Sequence, residues 1–543
     1  MPTMEIDGIK VAWEGKKMIL QVALDNGIEI PRYCYHPGLS IVASCRICLG
    51  EIETPDPKDP TKLVRVPKLV PMCQTPAVDG MKAYVKSAKA RANQQAVMEF
   101  LLINHPLDCP VCDQAGECDL QDYSYRYGRA ESRFLEDKAK KPKKDVGNHI
   151  LLYSDRCIMC TRCVRFTREV TGTAELAVFG RGFQEQIDIF PGKPINNPLS
   201  GNVVDICPVG ALLDKDFLFT QRVWFLKSTP SISPMNAGGE NIEIQHTEGR
   251  IYRIKPRFNK EVNKWWISDE TRYGFGFVHA EDRLRVPEEL TGSNHTALTW
   301  EEAYHRVAET LRQAVEKNGP GSLLTSLSPY DSTEDLFLQM KFVRSIDPQA
   351  WLVLPPVRVD GADQVFKNPA NGQVTFTLRA EKVPNRRGVD KMFAHFGGNI
   401  CGLAEVSGKK IAAAVISTDP FRPHNVDERI KASSGIPTII RLGMRPAGLY
   451  ERAALSLPVC SWAEKSGVYE NIEGRIQPFV QAIPALEDSR GTGRIFWDLL
   501  GLPGAYSAAG ARELMVAAGL ADYAGIAEPV GTVKVEEMEF AAL

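Results

Sequence analysis

The sequence lacks several features that would assign it to a specialised class of protein. No apolar run reaches the roughly 18–20 residues that crossing a bilayer requires. Its 65 basic and 67 acidic residues nearly balance, which gives no electrostatic reason to expect nucleic acid or an anionic membrane surface as a partner. The first residues, MPTMEIDGIKVAWEG, have neither the apolar segment of a signal peptide nor the Arg/Ser-rich composition of a transit peptide. A cytoplasmic location is therefore expected.

The second half of the chain has almost no cysteine. Of thirteen cysteines, only Cys401 and Cys460 follow residue 207. A disulfide framework is unusual in a chain of 543 residues without export signals. Thiols concentrated at C-x2-C spacings in such a chain more often hold metal. The remaining composition, 44% hydrophobic and 24% charged, is that of an ordinary globular protein.

Local patterns predict a small β-rich region at the start of the chain. A hairpin with its turn at Asp7-Gly8 comes first, and a short helix over MILQVALDNGI ends at Asn26-Gly27. Residues 54–60, TPDPKDP, are rich in turn-forming residues, so we expect a loop there rather than a central strand.

Helical and α/β patterns follow. A helix is expected from Ser87 to Ile103, with these apolar residues near one face: Ala96, Phe100, Leu101 and Ile103. Beyond residue 221, helical stretches such as TWEEAYHRVAETLRQAVEKNG alternate with short buried-strand runs such as KKIAAAVIS and IPTIIRLG. This alternation predicts an α/β domain.

Four early cysteines form a first candidate metal site, here called the first site: Cys34, Cys45, Cys48 and Cys73. A C-x2-C pair with one thiol upstream and one downstream resembles the plant-type 2Fe–2S spacing C-x4-C-x2-C…C, although ten residues separate the first two cysteines here. Four thiolates also make a closed structural zinc site, so the spacing alone leaves both iron and zinc open.

The stretch NHPLDCPVCDQAGECDLQD, residues 104–122, supplies three more thiols, one short of a four-ligand site. An imidazole nitrogen is a competent ligand for iron or zinc, and histidine can replace cysteine in iron–sulfur centres. His105 lies four residues before the first of these thiols, whereas the next histidine, His149, is distant. We therefore predict a second site with these ligands: His105, Cys109, Cys112 and Cys118.

The segments CIMCTRCVRF and ICPVGA together contain the bacterial ferredoxin motif C-x2-C-x2-C-x3-C-P, divided between two parts of the chain. In two-cluster ferredoxins the fourth cysteine serves the other cluster. No thiol stands where a partner cluster would need ligands, at Thr167, Asn197, Ser200 and Val203. One 4Fe–4S cluster is thus predicted, in a third site composed of Cys157, Cys160, Cys163 and Cys207.

Eleven cysteines and one histidine thus divide into three four-ligand sites with none left over. Structural zinc seldom needs three sites in about two hundred residues. Closely spaced redox centres, in contrast, form a path along which electrons can move.

The motifs HPLDCPVCDQAGECDLQD, CIMCTRCVRF and ICPVGAL resemble those of the large iron–sulfur subunit of NADH:quinone oxidoreductase, respiratory complex I. The likeness covers about residues 1–220 and continues more weakly to about residue 480. It implies a multidomain α+β and α/β fold with four parts: a β-grasp 2Fe–2S ferredoxin domain (1–85), a 4Fe–4S domain with one His and three Cys ligands (86–144), a ferredoxin-like 4Fe–4S domain (145–220) and a truncated molybdopterin-oxidoreductase-like domain without metal (221–543).

The resemblance also implies an electron path. Electrons would arrive from the FMN- and NADH-binding flavin subunit at a 2Fe–2S cluster in the first site. They would pass to the 4Fe–4S cluster of the third site, then to that of the second site, and leave through a ferredoxin-like two-cluster subunit toward quinone. The chain alone would carry electrons without a substrate site. It would belong to the peripheral arm of a proton-translocating complex, among other peripheral-arm subunits, on the cytoplasmic side of the inner (plasma) membrane.

Some members of this family carry a further cluster, in a pattern like T-P-S-x-C-P-x-C-x-x-G-C with a later W-I-C-D. This chain has TPSISPMNAGGENI and WISDETRYGF instead. None of the residues at the four ligand positions can act as a thiolate, so no fourth cluster is expected; these residues are Ser233, Asn236, Glu240 and Ser268.

No molybdenum is expected either. The segment from residue 221 to the end is shorter than working molybdenum enzymes of this fold. Cys401 and Cys460 are interpreted as buried thiols that behave as small hydrophobic residues. The stretch AEKSGVYENIEGRIQPF, residues 463–479, resembles a pterin-domain signature and is interpreted as a sign of ancestry.

Two other functions share parts of this pattern. The electron-input subunit of a NAD-linked hydrogenase or formate dehydrogenase has similar amino-terminal cluster domains, but a hydrogenase needs further cysteine motifs in the second half and a formate dehydrogenase a full-length pterin domain. A zinc-binding structural scaffold would use the same ligands. It would be colourless, whereas an iron–sulfur protein is brown.

Replacing His105 with cysteine tests the charge of the second site. A neutral imidazole in place of a thiolate removes one negative charge, which raises the reduction potential, as histidine ligation does in Rieske centres. We expect His105→Cys to assemble a cluster with a lower midpoint potential than the natural protein in an EPR-monitored redox titration. An unchanged potential would contradict the charge argument.

Overall fold

The computed structural model describes residues 1–292, 294–354, 357–420 and 431–529. The chain divides into two units. In the described ranges the first consists of residues 1–225 and 366–376, and the second of residues 226–365 and 377–529. Residues 530–543 of the expected carboxy-terminal domain lie outside the described residues.

The regular elements mix helices and strands throughout. The helices are α1 (Ile19–Asp25), α2 (Ala88–Leu102), α3 (Asp119–Tyr127), α4 (Arg162–Glu169), α5 (Asn202–Asp205), α6 (Asp269–Tyr273), α7 (Trp300–Asn318), α8 (Thr333–Ile346), α9 (Arg386–Phe396), α10 (Thr492–Leu499) and α11 (Ala508–Ala517). The strands are β1 (Thr3–Ile6), β2 (Ile9–Ala12), β3 (Leu49–Asp56), β4 (Asp59–Arg65), β5 (Val70–Pro71), β6 (Lys82–Tyr84), β7 (Lys143–Asp145), β8 (Ile150–Tyr153), β9 (Leu176–Phe179), β10 (Gln186–Ile189), β11 (Leu212–Asp214), β12 (Lys227–Ile232), β13 (Asn241–Thr247), β14 (Arg250–Pro256), β15 (Glu288–Thr291), β16 (Asn294–Ala297), β17 (Leu323–Ser326), β18 (Trp351–Leu354), β19 (Gln364–Lys367), β20 (Val374–Leu378), β21 (Ile400–Gly402), β22 (Ala413–Ser417), β23 (Thr438–Gly443), β24 (Leu455–Pro458), β25 (Gly467–Glu470) and β26 (Ile476–Phe479).

The first unit opens with the predicted hairpin. Strands β1 and β2 pair antiparallel, and the turn is made by Asp7 and Gly8, both at positive φ. Helix α1 ends at Asn26 as predicted, and Gly27 at φ +70° turns the chain away. The sheet continues in the order β2-β1-β6-β3-β4, with β1 and β6 parallel. Ile6, at zero exposure, is part of the core beneath it.

The expectation of a loop over residues 54–60 is wrong. Strand β3 continues to Asp56 and β4 begins at Asp59, so the turn is confined to residues 57–58. Among the described pairings, the Thr54–Asp56 end of β3 contacts only β4, which is the outermost strand. Proline is tolerated at such an edge because few backbone N–H groups there need a partner.

Helix α2 confirms the predicted helix, but its expected buried face is wrong. Ser87 caps the helix by accepting a hydrogen bond from Ala90 N. The buried residues are Ala90, Gln94 and Met98, whereas Phe100 is 71% exposed. The buried face includes a polar side chain because Gln94 Nε2 donates to Val85 O at 3.1 Å, a contact that apolar periodicity does not reveal.

The second unit contains the predicted α/β sheet. The strand order is β16-β15-β24-β23-β22-β17-β18-β21, and the run from β24 to β21 is parallel. Strands β22 and β23 come from KKIAAAVIS and IPTIIRLG, and α7 from the predicted helical stretch. Every residue of β22 is buried, as expected of a parallel strand covered on both faces. Nowhere in the described ranges is a helix both long and apolar enough to cross a membrane.

The amino-terminal cap of α7 allows a test of local stability. Thr299 accepts a hydrogen bond from Glu302 N, and the Glu302 side chain accepts one from Thr299 N in return. We expect Thr299→Ala to lower the free energy of unfolding by about 1 kcal/mol, because a first-turn N–H loses its acceptor. Chemical denaturation measures the change. Thr299→Ser keeps the hydroxyl and should behave like the natural protein; equal loss in both variants would contradict the capping role.

Candidate metal sites

The first site lies on the segment between α1 and β3 and just after β5. Cys34, Cys48 and Cys73 are buried. The thiols meet as two pairs, because Cys34 is within hydrogen-bond reach of Cys45 and Cys48 within reach of Cys73. The contact within each pair lowers the pKa of one thiol, to about 5 for Cys34, and raises that of its partner. Two thiol pairs match a binuclear centre in which each iron takes two cysteines.

The third site is formed by the loop before α4 and the turn after α5. Met159 (φ +54°) and Thr161 (φ +60°) give this loop its tight course. All four cysteines line one cavity, together with apolar side chains such as Leu152 and Ile187. Burial raises the pKa of every thiol in this site, to about 12 for Cys157 and about 11 for Cys160. Thiols so placed are neutral until a metal cation favours the thiolate.

The four predicted ligands of the second site do not all line one pocket. His105, Cys109 and Cys118 line one pocket of about 380 Å³. Cys112 does not line it; its Sγ lies against Gly210, where an added Cβ would be only 2.3 Å away. Burial, with help from nearby basic side chains, lowers the pKa of His105 to about 4. The imidazole is therefore neutral at pH 7, the form in which it can bind a metal.

The structure thus places all four third-site cysteines at one cavity and three of the second-site candidates at one pocket, with Cys112 outside that pocket. No group of three or more His, Cys, Asp or Glu side chains within the described ranges is placed to hold a single metal ion. One apolar cluster, which includes Tyr33, Met98 and Val209, packs against thiols of all three sites: Cys45, Cys118, Cys157, Cys160 and Cys207. The three sites therefore share one apolar neighbourhood, although Cys109 of the second site is exposed.

A buried arginine that sequence reasoning missed joins the second and third sites. Arg156, immediately before the first cysteine of the third site, is 3% exposed. It donates to Asp108 Oδ2 at 2.7 and 3.1 Å, next to the first cysteine of the second site, and to Gly210 O at 3.5 Å. Its guanidinium stacks over Tyr153 at 4.0 Å. The loops of the two sites are thereby fixed to one another.

Two further arginines join the third site to the first. Arg162 donates to Tyr35 O at 2.8 Å, and Arg165 donates to Cys34 O at 2.5 Å and to Cys160 O at 3.4 Å. Both side chains are buried. Their spacing of three within CIMCTRCVRF places them on one face of a helix, which is the signal in the sequence that could have indicated a shared role.

The four positions of the absent cluster motif also meet, in what we call the polar site: Ser233, Asn236, Glu240 and Ser268, joined by Thr271. Glu240 accepts hydrogen bonds from Asn236 Nδ2 and Ser268 Oγ, both at 2.8 Å, and from Ser268 N at 2.7 Å. Burial raises the pKa of Glu240. Ser233 Oγ lies 2.7 Å from Thr271 Oγ1. A hydrogen-bonded carboxyl group lies at the centre of the polar site.

The stretch 463–479 and the two late cysteines lie in the second unit. Lys465 is buried and pairs with Asp335 at 2.5 Å and Asp331 at 3.3 Å, while residues beyond it form the hairpin of β25 and β26. Cys401 is in β21, and Cys460, whose Sγ lies 3.7 Å from Ser489 Oγ, follows β24. Both cysteines are buried.

Four family models match parts of the chain. They are a 2Fe-2S iron-sulfur cluster binding domain (residues 2–88), the NADH-ubiquinone oxidoreductase-G iron-sulfur binding region (94–133), the ferredoxin-like domain of NADH-quinone oxidoreductase subunit 3 (147–213) and the NADH-ubiquinone oxidoreductase NDSU1/NuoG-like 4Fe-4S domain (226–276). The last covers the polar site. The chain thus contains a 2Fe–2S domain followed by 4Fe–4S domains of ferredoxin-like type, which defines an iron–sulfur protein.

Curated relatives are subunits of one kind of complex. The 75 kDa subunit of NADH-ubiquinone oxidoreductase from Reclinomonas americana is 42% identical over 318 residues, 59% of this chain and 44% of that protein. Iron-sulfur protein 1 of NADH dehydrogenase from Solanum tuberosum is 43% identical over 57% of this chain and 40% of that protein. The 78 kDa subunit of NADH-ubiquinone oxidoreductase from Neurospora crassa is 42% identical over 56% and 40%. Over the matched region the chain is a homologue of these subunits of complex I, and it spans less than half of their length.

Among solved structures, a chain of a NAD+-reducing nickel–iron hydrogenase in its H2-reduced state aligns with a TM-score of 0.36 and 26% identity. The alignment covers 41% of this chain and 91% of that chain.

The polar site generates a stability prediction. Hydrogen bonds reach both carboxyl oxygens of Glu240. In Glu240→Gln one of these oxygens is replaced by an amide nitrogen, which cannot accept a hydrogen bond, so a buried donor loses its acceptor. We expect a loss of about 1–3 kcal/mol in unfolding free energy, seen as a lower thermal unfolding midpoint. The exposed Glu248→Gln, on the turn between β13 and β14, is the matched control. Equal midpoints for both variants would show that the network adds no stability.

Proposed function

We propose that this chain is the electron-transfer subunit of an NADH:quinone oxidoreductase, relaying electrons from a flavin subunit toward quinone. The observation that carries the proposal is that all four third-site cysteines line one cavity, beside an apolar cluster that includes or contacts thiols of all three sites. The homology to complex I subunits supports it independently.

We infer that the first site holds a 2Fe–2S cluster and that the second and third sites each hold a 4Fe–4S cluster. Their ligands would be Cys34, Cys45, Cys48 and Cys73; His105, Cys109, Cys112 and Cys118; and Cys157, Cys160, Cys163 and Cys207. The donor sets fit these groups, since iron–sulfur clusters take cysteine thiolates and accept a neutral histidine. The paired thiols of the first site favour two irons there over a single zinc ion.

When bound, the clusters supply the one-electron chemistry. The residues of the chain hold them at fixed separations and exclude water. In the third site, burial among apolar side chains keeps the thiols dry and lowers the local dielectric. At the second site, the depressed pKa of His105 keeps its ring nitrogen available as a ligand at neutral pH.

The proposed order of transfer is first site, third site, second site. Buried arginine contacts join the first site to the third and the third to the second, which supports this order. The partners would be the flavin subunit, a ferredoxin-like two-cluster subunit and other peripheral-arm subunits, on the cytoplasmic side of the inner membrane. This chain would have no substrate site of its own.

We further propose that the domains divide at residues 85/86, 144/145 and 220/221, and that the last resembles molybdopterin oxidoreductases without carrying molybdenum. The polar site would hold no fourth cluster, because its central group is a carboxyl already engaged by three hydrogen bonds. Cys401 and Cys460 would be packing residues.

Iron quantitation with EPR tests the cluster count. The reduced full chain should contain ten irons, as one binuclear and two tetranuclear centres. A count of fourteen irons would indicate a fourth cluster. Cys157→Ser should lose the third-site signal, because a proposed ligand is removed. Cys401→Ser is the matched control, being a buried thiol outside the sites, and should keep all ten irons. Bound zinc, or a colourless protein, would overturn the proposal.

A further inference from the structure

Arg165 contacts the backbone of two sites at once. Its Nη2 donates to Cys34 O of the first site at 2.5 Å and to Cys160 O of the third at 3.4 Å. Its Nη1 donates to Ser40 O at 2.5 Å, farther along the first-site loop. The side chain is only 7% exposed, and its bond to Cys34 O is fully buried. A guanidinium presents its donors in a rigid planar fork, whereas an ammonium is a compact point charge on a flexible stem.

The helix that carries Arg165 holds the same loop at further points. Arg162 donates to Tyr35 O at 2.8 Å and, with its other nitrogen, to Ile206 O at 3.1 Å, beside the last cysteine of the third site. Glu169 accepts from Ser40 N at 2.8 Å and from Ser40 Oγ at 2.5 Å. Because α4 begins inside the cysteine motif of the third site, these bonds tie the first-site loop directly to that site.

The charge of Arg165 is also placed to act on both sites. It interacts electrostatically with the thiols of Cys34 and Cys160. Its Nε–H is buried and has no acceptor among the described protein groups. Reduction adds a negative charge to a cluster, so a fixed positive charge nearby favours the reduced form and raises the potential.

We propose that Arg165 is a positioning residue of the electron path: it fixes the separation of the first-site and third-site clusters and raises the potential of both. This inference rests on the proposed function. It predicts that one side chain influences two measurable properties of the clusters: the distance between two paramagnetic centres and their reduction potentials.

The test uses the full chain with its clusters assembled. Arg165→Gln removes the charge and the bridge, and Arg165→Lys keeps the charge but cannot reach both carbonyls. Arg168→Gln is the matched control, since Arg168 lies on the same helix but is exposed. EPR-monitored titration gives the midpoint potentials, and the magnetic interaction between the two reduced clusters reports their separation.

The comparison is made at the potential where each cluster of the natural protein is half reduced. At that potential, we expect the ratio of reduced to oxidised cluster in Arg165→Gln to be about tenfold lower for both clusters. This corresponds to about 59 mV for a one-electron couple. The magnetic interaction should also change. Arg165→Lys should keep potentials near those of the natural protein while changing the interaction. Arg168→Gln should change neither.

The outcomes separate the inference from the proposed function. Absence of iron–sulfur signals in the natural protein would overturn the function itself. Normal signals, with Arg165→Gln indistinguishable from Arg168→Gln, would overturn only the role of Arg165. If Arg165→Gln fails to assemble its clusters, Arg165→Lys decides: a changed magnetic interaction supports the inference, and an unchanged one refutes it.

Discussion

The first unit depends on hydrogen bonds from buried arginines to groups on loops that are distant in sequence. The cysteine loops have little regular structure, so the sheets and helices cannot fix their relative positions. Arg156, Arg162 and Arg165 flank or lie within the third-site motif and reach Asp108, Tyr35 and Cys34 respectively. Hydrogen bonds from a charged donor are about twice as strong as neutral ones and lose little to solvent when buried. The third-site loop is consequently the hub to which the other two are attached.

These arginines also bring positive charge into an apolar interior. Burial alone favours neutral thiols, as the raised pKa values of the third-site cysteines indicate. Cations close by favour thiolates, and Arg162 acts in this direction on the pKa of Cys160. The same arginines therefore both position the cysteine loops and favour the charged form of the thiols. One apolar cluster that includes or contacts thiols of all three sites lies next to these groups.

In the second unit, buried polar and charged groups are held by hydrogen bonds and ion pairs among themselves. At the polar site, the carboxyl group of Glu240 accepts three hydrogen bonds from Asn236 and Ser268. Elsewhere, Lys465 is buried between Asp331 and Asp335. Buried charge is costly unless it is paired, so such networks are strongly destabilised when one member is removed. Buried polar groups joined by hydrogen bonds and ion pairs thus contribute to this unit beside its parallel sheet.

Features that depend on near neighbours could be predicted from the residues alone: the turn at Asp7-Gly8, the helix α7 and the buried strands. The same reasoning misassigned residues 54–60 and the buried face of α2, since an edge strand accepts proline and a distant carbonyl satisfies Gln94. The contacts of Arg156, Arg162 and Arg165, and the meeting of the four polar-site positions, emerged only from the folded chain. Their partners lie tens of residues away, and pairings over such distances follow from packing, which local spacing does not encode.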